Sequence, residues 1–308
     1  MDIPCPYFAL HPHLYFVSIL RAVLLRFCEY SVSTMAIFAK RYNPDRKADW
    51  NYGGSKWRLS RSKIDLFIEC PRCFYLDNKL GTGRPRGPAF TLNVAVDALL
   101  KKEFDIHRTN QTRHPLLERY GIDAVPYEHQ DIDMWRENFK GLEVFHEPTG
   151  FKVSGAIDDV WVKPNGELIV VDYKATSKDG TIETLADSSW EHQYRRQIGV
   201  YQWLLRSLGH TVSNTGYFVY ANAQSDKEVF GGKLEFEITL VPTEGDPQWI
   251  EPTLSKIKSS LESDEFPERS PDCEYCEYRE AAGKKLQKIH HKKSQKKDHE
   301  NKETSKLF

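Results

Sequence analysis

An α/β fold is the expectation from three features of the sequence. Apolar residues recur with period two from about residue 143 onward. Before that point, "TLNVAVDALLKKEF" places Leu92, Ala95, Val96, Leu99, Leu100 and Phe104 on one helical stripe. An amphipathic segment over 190–208 then separates one pair of strands from the next.

Taken in chain order, "LSRSKIDLFIECPRCFYLDNKLG" reads as a helix with Ser60 as N-cap. Ile64, Phe67 and Ile68 are its apolar positions at helical spacing, Pro71 breaks or restarts it, and Gly81 stops it. The stripe over 92–104 follows. "FKVSGAIDDVWV" and "ELIVVDYKA" read as two strands joined by "KPNG", and the second is apolar enough to be buried on both faces. After the 190–208 helix come the strands "TGYFVYANA" and "KLEFEITLV", and a last helix over about 247–262.

The chain has 308 residues, 40% hydrophobic and 12% aromatic, enough to bury one sizeable core or two small ones. Residues 1–58 read as an N-terminal extension. Within it, 36–58 is a polar linker, and 1–34 has the character of an upstream start-site extension before Met35. Residues 59–282 form the structured domain, and 283–308 a basic tail too poor in apolar residues to order itself. Seven Lys and no acid in 284–297 leave the other 294 residues at −8, so the formal net charge of −1 hides a strong asymmetry. The apolar run "LYFVSILRAVLLRF" is interrupted by Arg21 and Arg26, which argues against a membrane span or a signal peptide. Six Cys are too few for a disulfide scaffold, and a reducing, cytoplasmic compartment is expected.

The KPNG turn sets the geometry of the candidate site. Pro164 at the second turn position and Gly166 in the left-handed region make a three-residue loop that pairs Lys163 with Glu167. In that register Asp158 lies across from Asp172 on the same face, and Lys174 shares that face by alternation. Two carboxylates in a mostly apolar sheet repel each other, and a divalent cation such as Mg2+ or Mn2+ removes the conflict. The plainer alternative is an Asp–Lys ion pair with Asp158 solvated at a strand end. In the 190–208 helix, Trp190, Tyr194, Ile198, Tyr201, Leu204, Leu205 and Leu208 make the apolar stripe. Gln197 sits in its middle, where an amide needs a partner, with Tyr201 one turn on.

"GAIDDVWV", "VVDYKAT" and "QIGVY" resemble the G-x-x-D, (D/E)-x-K and Q-x-x-x-Y motifs of RecB-like PD-(D/E)XK nucleases, in order, over roughly 59–280. The resemblance implies a restriction-endonuclease-like mixed sheet flanked by helices, and metal-dependent hydrolysis of DNA phosphodiesters. It implies that Asp158, Asp172 and the carbonyl of Tyr173 bind the metal, that Lys174 is catalytic, and that Gln197 and Tyr201 support the site. The family's upstream helix often supplies a His preceded by Gly, and here Asn93 and Asp97 stand at those positions. Asp97 is an oxygen ligand or a solvated residue beside the stripe, and His107 is a nearby substitute.

Cys70, Cys73, Cys273 and Cys276 form two C-x-x-C pairs flanking this segment, a pattern that suits tetrahedral zinc or an iron–sulfur cluster. Similar AddB-type and CRISPR-adaptation nucleases carry a 4Fe-4S cluster on one upstream and three downstream Cys. The two-and-two division here leaves the metal undecided: the resemblance favours a 4Fe-4S cluster, and the simple spacing favours zinc as the alternative. Cys5 and Cys28 need no role. No phosphate-binding loop of a helicase motor is present, so the resemblance points to a separate helicase or CRISPR-adaptation partner. The resemblance implies work in DNA repair, recombination or defence. The alternative is a non-catalytic nucleic-acid-binding module with a structural four-Cys site.

Overall fold

A computed structural model describes residues 44–304 apart from Arg86 and Asp187, so the expectations for residues 1–34 lie outside the described residues. Eight helices and eight strands are described. The helices are α1 (Arg61–Glu69), α2 (Pro71–Asn78), α3 (Thr91–Asn110), α4 (Pro115–Arg119), α5 (Ile132–Arg136), α6 (Ser189–Ser207), α7 (Ile250–Glu262) and α8 (Glu274–Thr304). The strands are β1 (Leu59–Ser60), β2 (Val125–Pro126), β3 (Leu142–His146), β4 (Phe151–Gly155), β5 (Asp159–Val162), β6 (Leu168–Thr176), β7 (Thr215–Ala223) and β8 (Phe236–Glu244).

The strands form a three-stranded sheet in the order β1-β4-β3 and a five-stranded sheet in the order β2-β5-β6-β7-β8. The larger sheet is mixed: β5 and β6 are antiparallel, β6 and β7 parallel, β7 and β8 antiparallel. Helix α6 is the crossover that a parallel β6–β7 pair requires. Residues of β6 alternate between two cores. Leu168 and Val170 join Ile198, Leu204 and Phe218 on the α6 side, and Ile169, Val171 and Tyr173 join Leu100 and Phe104 on the α3 side. This is the strand buried on both faces that its composition predicts.

Several expectations are corrected. The strand read over "FKVSGAIDDVWV" is two strands in different sheets. It breaks at 156–158, where the Ile157 N–H turns aside to the carbonyl of Trp135 (3.1 Å). The α3 stripe is narrower than expected: Leu100 and Phe104 are buried, but Leu92 and Leu99 are exposed, because only the later turns of α3 lie on the sheet. Leu208, counted in the α6 stripe, caps the helix and is 44% exposed. Residues 44–58 are packed rather than linker-like. Trp57 donates from Nε1 to Asn78 Oδ1 (3.1 Å) and meets Phe151 edge-on, and Arg46 pairs with Asp77 (2.9 Å).

Helix α8 continues to Thr304, through the lysine-rich segment for which composition predicts no order. Lys, Gln and Glu are good helix formers, and beyond Gly283 neither Gly nor Pro interrupts them.

Candidate active site and cysteine centre

The β5–β6 hairpin is built as its turn dictates. Gly166 has φ +85°, its N–H donates to the Lys163 carbonyl (2.9 Å), and the Lys163 N–H donates to Glu167 (3.0 Å). The ladder pairs Val162 with Leu168 and Asp159 with Val171, and one step beyond it Asp158 comes to the end of β6. There Asp158 Oδ2 accepts the Tyr173 N–H (3.1 Å), and its carboxyl is close enough to Asp172 for a shared hydrogen bond. The two carboxylates converge.

Lys174 donates to Asp172 Oδ2 and lies 3.3 Å from Gln197 Oε1, with its ammonium 4.7 Å from the centre of the Tyr194 ring. Gln197, on α6, donates from Nε2 to Asp172 Oδ1 (2.6 Å) and to the Tyr201 hydroxyl (3.1 Å). The amide in the apolar stripe therefore finds its partners at the acid centre. Gly155 makes room for this arrangement, since a Cβ there would stand 2.8 Å from Cε1 of Tyr201.

Asp97 also reaches the centre, through Lys101. That ammonium lies 2.9 Å from Asp97 Oδ2 and 3.0 Å from Asp158 Oδ1, bridging α3 to the start of β5. Sequence reasoning missed Lys101; the available signal was its place one helical turn after Asp97. Asn93 donates to the Ala175 carbonyl (2.5 Å) beside the site. His107 does not join them. It sits near the other end of α3, with Nδ1 bonded to Thr112 Oγ1 (2.9 Å).

The acids share the charge unequally. Burial, with Asp158 adding to it and Lys174 opposing, pushes Asp172 up to about 7. Burial also works against ionised Asp158, but Lys101 and then Lys174 outweigh it and hold this carboxyl below the ordinary range. Burial and Asp158 raise Asp97. Lys174 stays charged, because Asp172 and Asp158 more than offset its desolvation. Three carboxylates thus face two ammonium groups, and the excess negative charge fits a divalent cation. Carboxylate oxygens such as those of Asp158 and Asp172 are the kind of donor that hard Mg2+ or Mn2+ takes, while Lys101 stands between Asp97 and Asp158.

The neighbouring acid has another role. Asp159 is fully buried and accepts from Arg108, from Arg136 Nη2 (3.1 Å), from its neighbour's N–H (Val160, 2.8 Å) and from the Tyr173 hydroxyl (2.5 Å). Arg136 and Arg108 also bind Asp105 (2.8 and 2.9 Å).

Cys70, at the junction of α1 and α2, and Cys73 meet Cys273 and Cys276 at the start of α8. Sγ atoms of Cys73 lie 3.6 Å from Cys273 and 3.5 Å from Cys276, and those of Cys70 and Cys276 are 3.8 Å apart. These are not disulfides, whose sulfurs bond at about 2 Å. All four thiols lie within 4.8 Å of one another and are buried. Arg84 and Arg279 donate to Cys273 (3.6 Å) and Cys276 (3.1 Å). Burial pushes Cys73 up to about 12, whereas Cys70, though also desolvated, is drawn down to about 7 by hydrogen bonds from the Ser270 and Cys73 backbone. Four thiolates with two guanidiniums set behind them make a donor set for a soft or borderline metal.

No described helix is long and apolar enough to cross a membrane. No curated protein matches the chain. Among solved structures, the crystal structure of SSO0001 aligns with 82% of this chain and 91% of its own, at 13% identity and a TM-score of 0.33. The family model described as the PD-(D/E)XK nuclease superfamily matches residues 58–281, a span that holds both acids, Lys174 and all four cysteines. Mixed sheets flanked by helices are consistent with the restriction-endonuclease-like fold of that family, and the chain belongs to the PD-(D/E)XK nuclease superfamily.

Proposed function

We propose that the chain is a divalent-metal-dependent deoxyribonuclease of the RecB-like type, acting in DNA repair, recombination or defence. The observation that carries this reading is the convergence of Asp158 and Asp172 with Lys174 at the end of β6, in a centre with more carboxylates than cations. Asp158, Asp172, the Tyr173 carbonyl and Asp97 would hold Mg2+ or Mn2+, which when bound supplies positive charge for the scissile phosphate. Lys174 places its ammonium where charge builds on the phosphoryl oxygens during hydrolysis. Gln197 fixes the Asp172 carboxylate, and Tyr201 fixes Gln197. Lys101 holds Asp97 and Asp158 in reach of each other.

For the cysteines we favour one zinc ion over a 4Fe-4S cluster. The support is their spacing: a tetrahedron with metal–sulfur bonds of about 2.3 Å has edges of about 3.8 Å, close to the observed Sγ separations. A helicase or CRISPR-adaptation partner would supply the motor or the target.

The test is cleavage of labelled single- and double-stranded DNA and RNA, with free and blocked ends, with Mg2+, Mn2+ or chelator. Metal-dependent DNA cleavage that Lys174→Ala abolishes while the fold is kept is the expected result. Equal cleavage by the Lys174 variant overturns the reading and leaves a binding module. Metal analysis of purified protein, with its visible absorption, distinguishes about one zinc per chain from a brown cluster.

A further inference from the structure

A cavity of about 620 Å3 lies apart from the acid centre. It lies between the lead-in segment before α1, the loop after α5 and the edge of β4, and Tyr201 forms part of its wall. Seven Lys and Arg side chains line it and no carboxylate does. Asp77, Asp65, Glu143 and Glu137 neutralise five of these cations from outside the lining. Lys56 and Lys63 instead lie over indole rings, 5.6 Å from the Trp50 ring centre and 5.1 Å from that of Trp57. The Nε of Arg61, another lining residue, is buried with no partner at all. Burial, and to a lesser extent Arg46, pull Lys63 down to about 8, against the opposing Asp77.

Positive charge alone would suit any polyanion. Two lining rings narrow the choice: Phe139 is 84% exposed and Trp50 46% exposed, both beside the lysines. A flat ring in water among cations offers a stacking platform to an unpaired base, whose faces a duplex hides. Tyr201 ties the cavity to chemistry, since its hydroxyl accepts from the Gln197 amide that holds Asp172.

We propose that this basic groove binds a single-stranded polynucleotide, with phosphates on Lys56, Arg58, Lys140 and Lys152 and bases on Trp50 and Phe139. The strand passes Tyr201 to reach the acid centre, so the inference rests on the nuclease reading and names its substrate form. The lead-in wall, Arg46 to Trp57, precedes the segment that matches the nuclease family, so one wall of the groove lies outside that match.

Binding measured in chelator separates the groove from catalysis. Fluorescence anisotropy of a short labelled oligothymidine, alone and annealed to its complement, is titrated with the full chain at several salt concentrations. The Lys56→Gln/Lys140→Gln/Lys152→Gln variant changes exposed side chains only and should weaken single-strand binding at least tenfold. It should also lower the slope of log K against log salt by about 2, at roughly 0.7 per lost phosphate contact. The triple Lys→Arg variant should bind like the parent. Trp50→Ala should cost about 5- to 100-fold on the single strand, and little on the duplex. Unchanged affinity and slope in the triple Gln variant overturn the groove, and so does tighter binding of duplex that Trp50→Ala leaves intact. Intact, groove-dependent binding by a parent protein that never cleaves would sink the nuclease reading and spare the groove.

Discussion

Asp158 and Asp159 are adjacent in the chain and head two acid clusters of opposite character. Around Asp159, two carboxylates meet two guanidiniums, and every charge has a partner. Around Asp158, three carboxylates meet two ammonium groups, and Asp172 is pushed up to about 7. The first arrangement is complete as it stands; the second is short of positive charge. A buried cluster that is internally balanced holds a fold in one arrangement, and one that is not balanced is poised to take a cation. The difference lies in residue supply: planar, always-charged Arg from α3 and α5 on one face, Lys from α3 and β6 on the other.

The comparison breaks first on activity. Asp172→Asn should lower metal-dependent cleavage by at least about 10^3-fold while leaving the metal-free protein as stable as the parent or more so, because it removes a carboxylate that burial and Asp158 both disfavour. Single-turnover cleavage and urea unfolding check the two halves, and a large loss of stability would contradict the charge deficit. Asp159→Asn should do the reverse. It leaves Arg108 and Arg136 facing a neutral group and should cost about 3–5 kcal/mol, with cleavage per folded molecule retained.

The cysteine centre should behave like the Asp159 cluster in needing all its members. Cys273→Ser should lose the bound metal, with a drop in thermal midpoint that strong chelators reproduce in the parent. A parent that keeps its midpoint in chelator while releasing metal would show that the site is not structural.

A smaller effect separates the clusters by pH. A carboxyl whose folded pKa is raised binds its proton more tightly in the folded state. Its contribution is fully present below pH 4 and is lost as pH rises to about 7. The metal-free protein should therefore lose stability across pH 4–7 on account of Asp172, and Asp172→Asn should flatten that part of the profile in urea melts. Gly155→Ala should give the smallest change, about 1–3 kcal/mol, as Tyr201 shifts from the added methyl. A fall in cleavage larger than the fall in stability would place the displaced Tyr201 on the path to Gln197.

Most of this geometry was readable because strands carry their register in a turn. Pro164, Asn165 and Gly166 fix which residues oppose, and the pairing of Val162 with Leu168 follows. Alternation then separates Asp158 from Asp159 without further information. The partner of each acid was not readable. Lys101 is one of many helical lysines, and only the packing of α3 on β6 tells which one meets Asp158. The same holds for Arg108 and Arg136, which come from different helices, one of them the five-residue α5, too short to leave a periodic signal. The lead-in at 44–58 read as linker because its order comes from contacts made by Trp57 and Arg46 with distant α2, not from any local pattern.

The cysteine centre also sets a clock on biosynthesis. Cys73 and Cys273 are 200 residues apart, so the first pair of thiols emerges with its partners still unmade. At ~5–20 residues per second, that interval is about 10–40 s. Within it the strands β2 to β8 are made in turn and become available to pair, while Cys70 and Cys73 remain two reactive thiols without the other two. Assembly of the centre is therefore a final event, reporting that the whole of the core between the two pairs has been made.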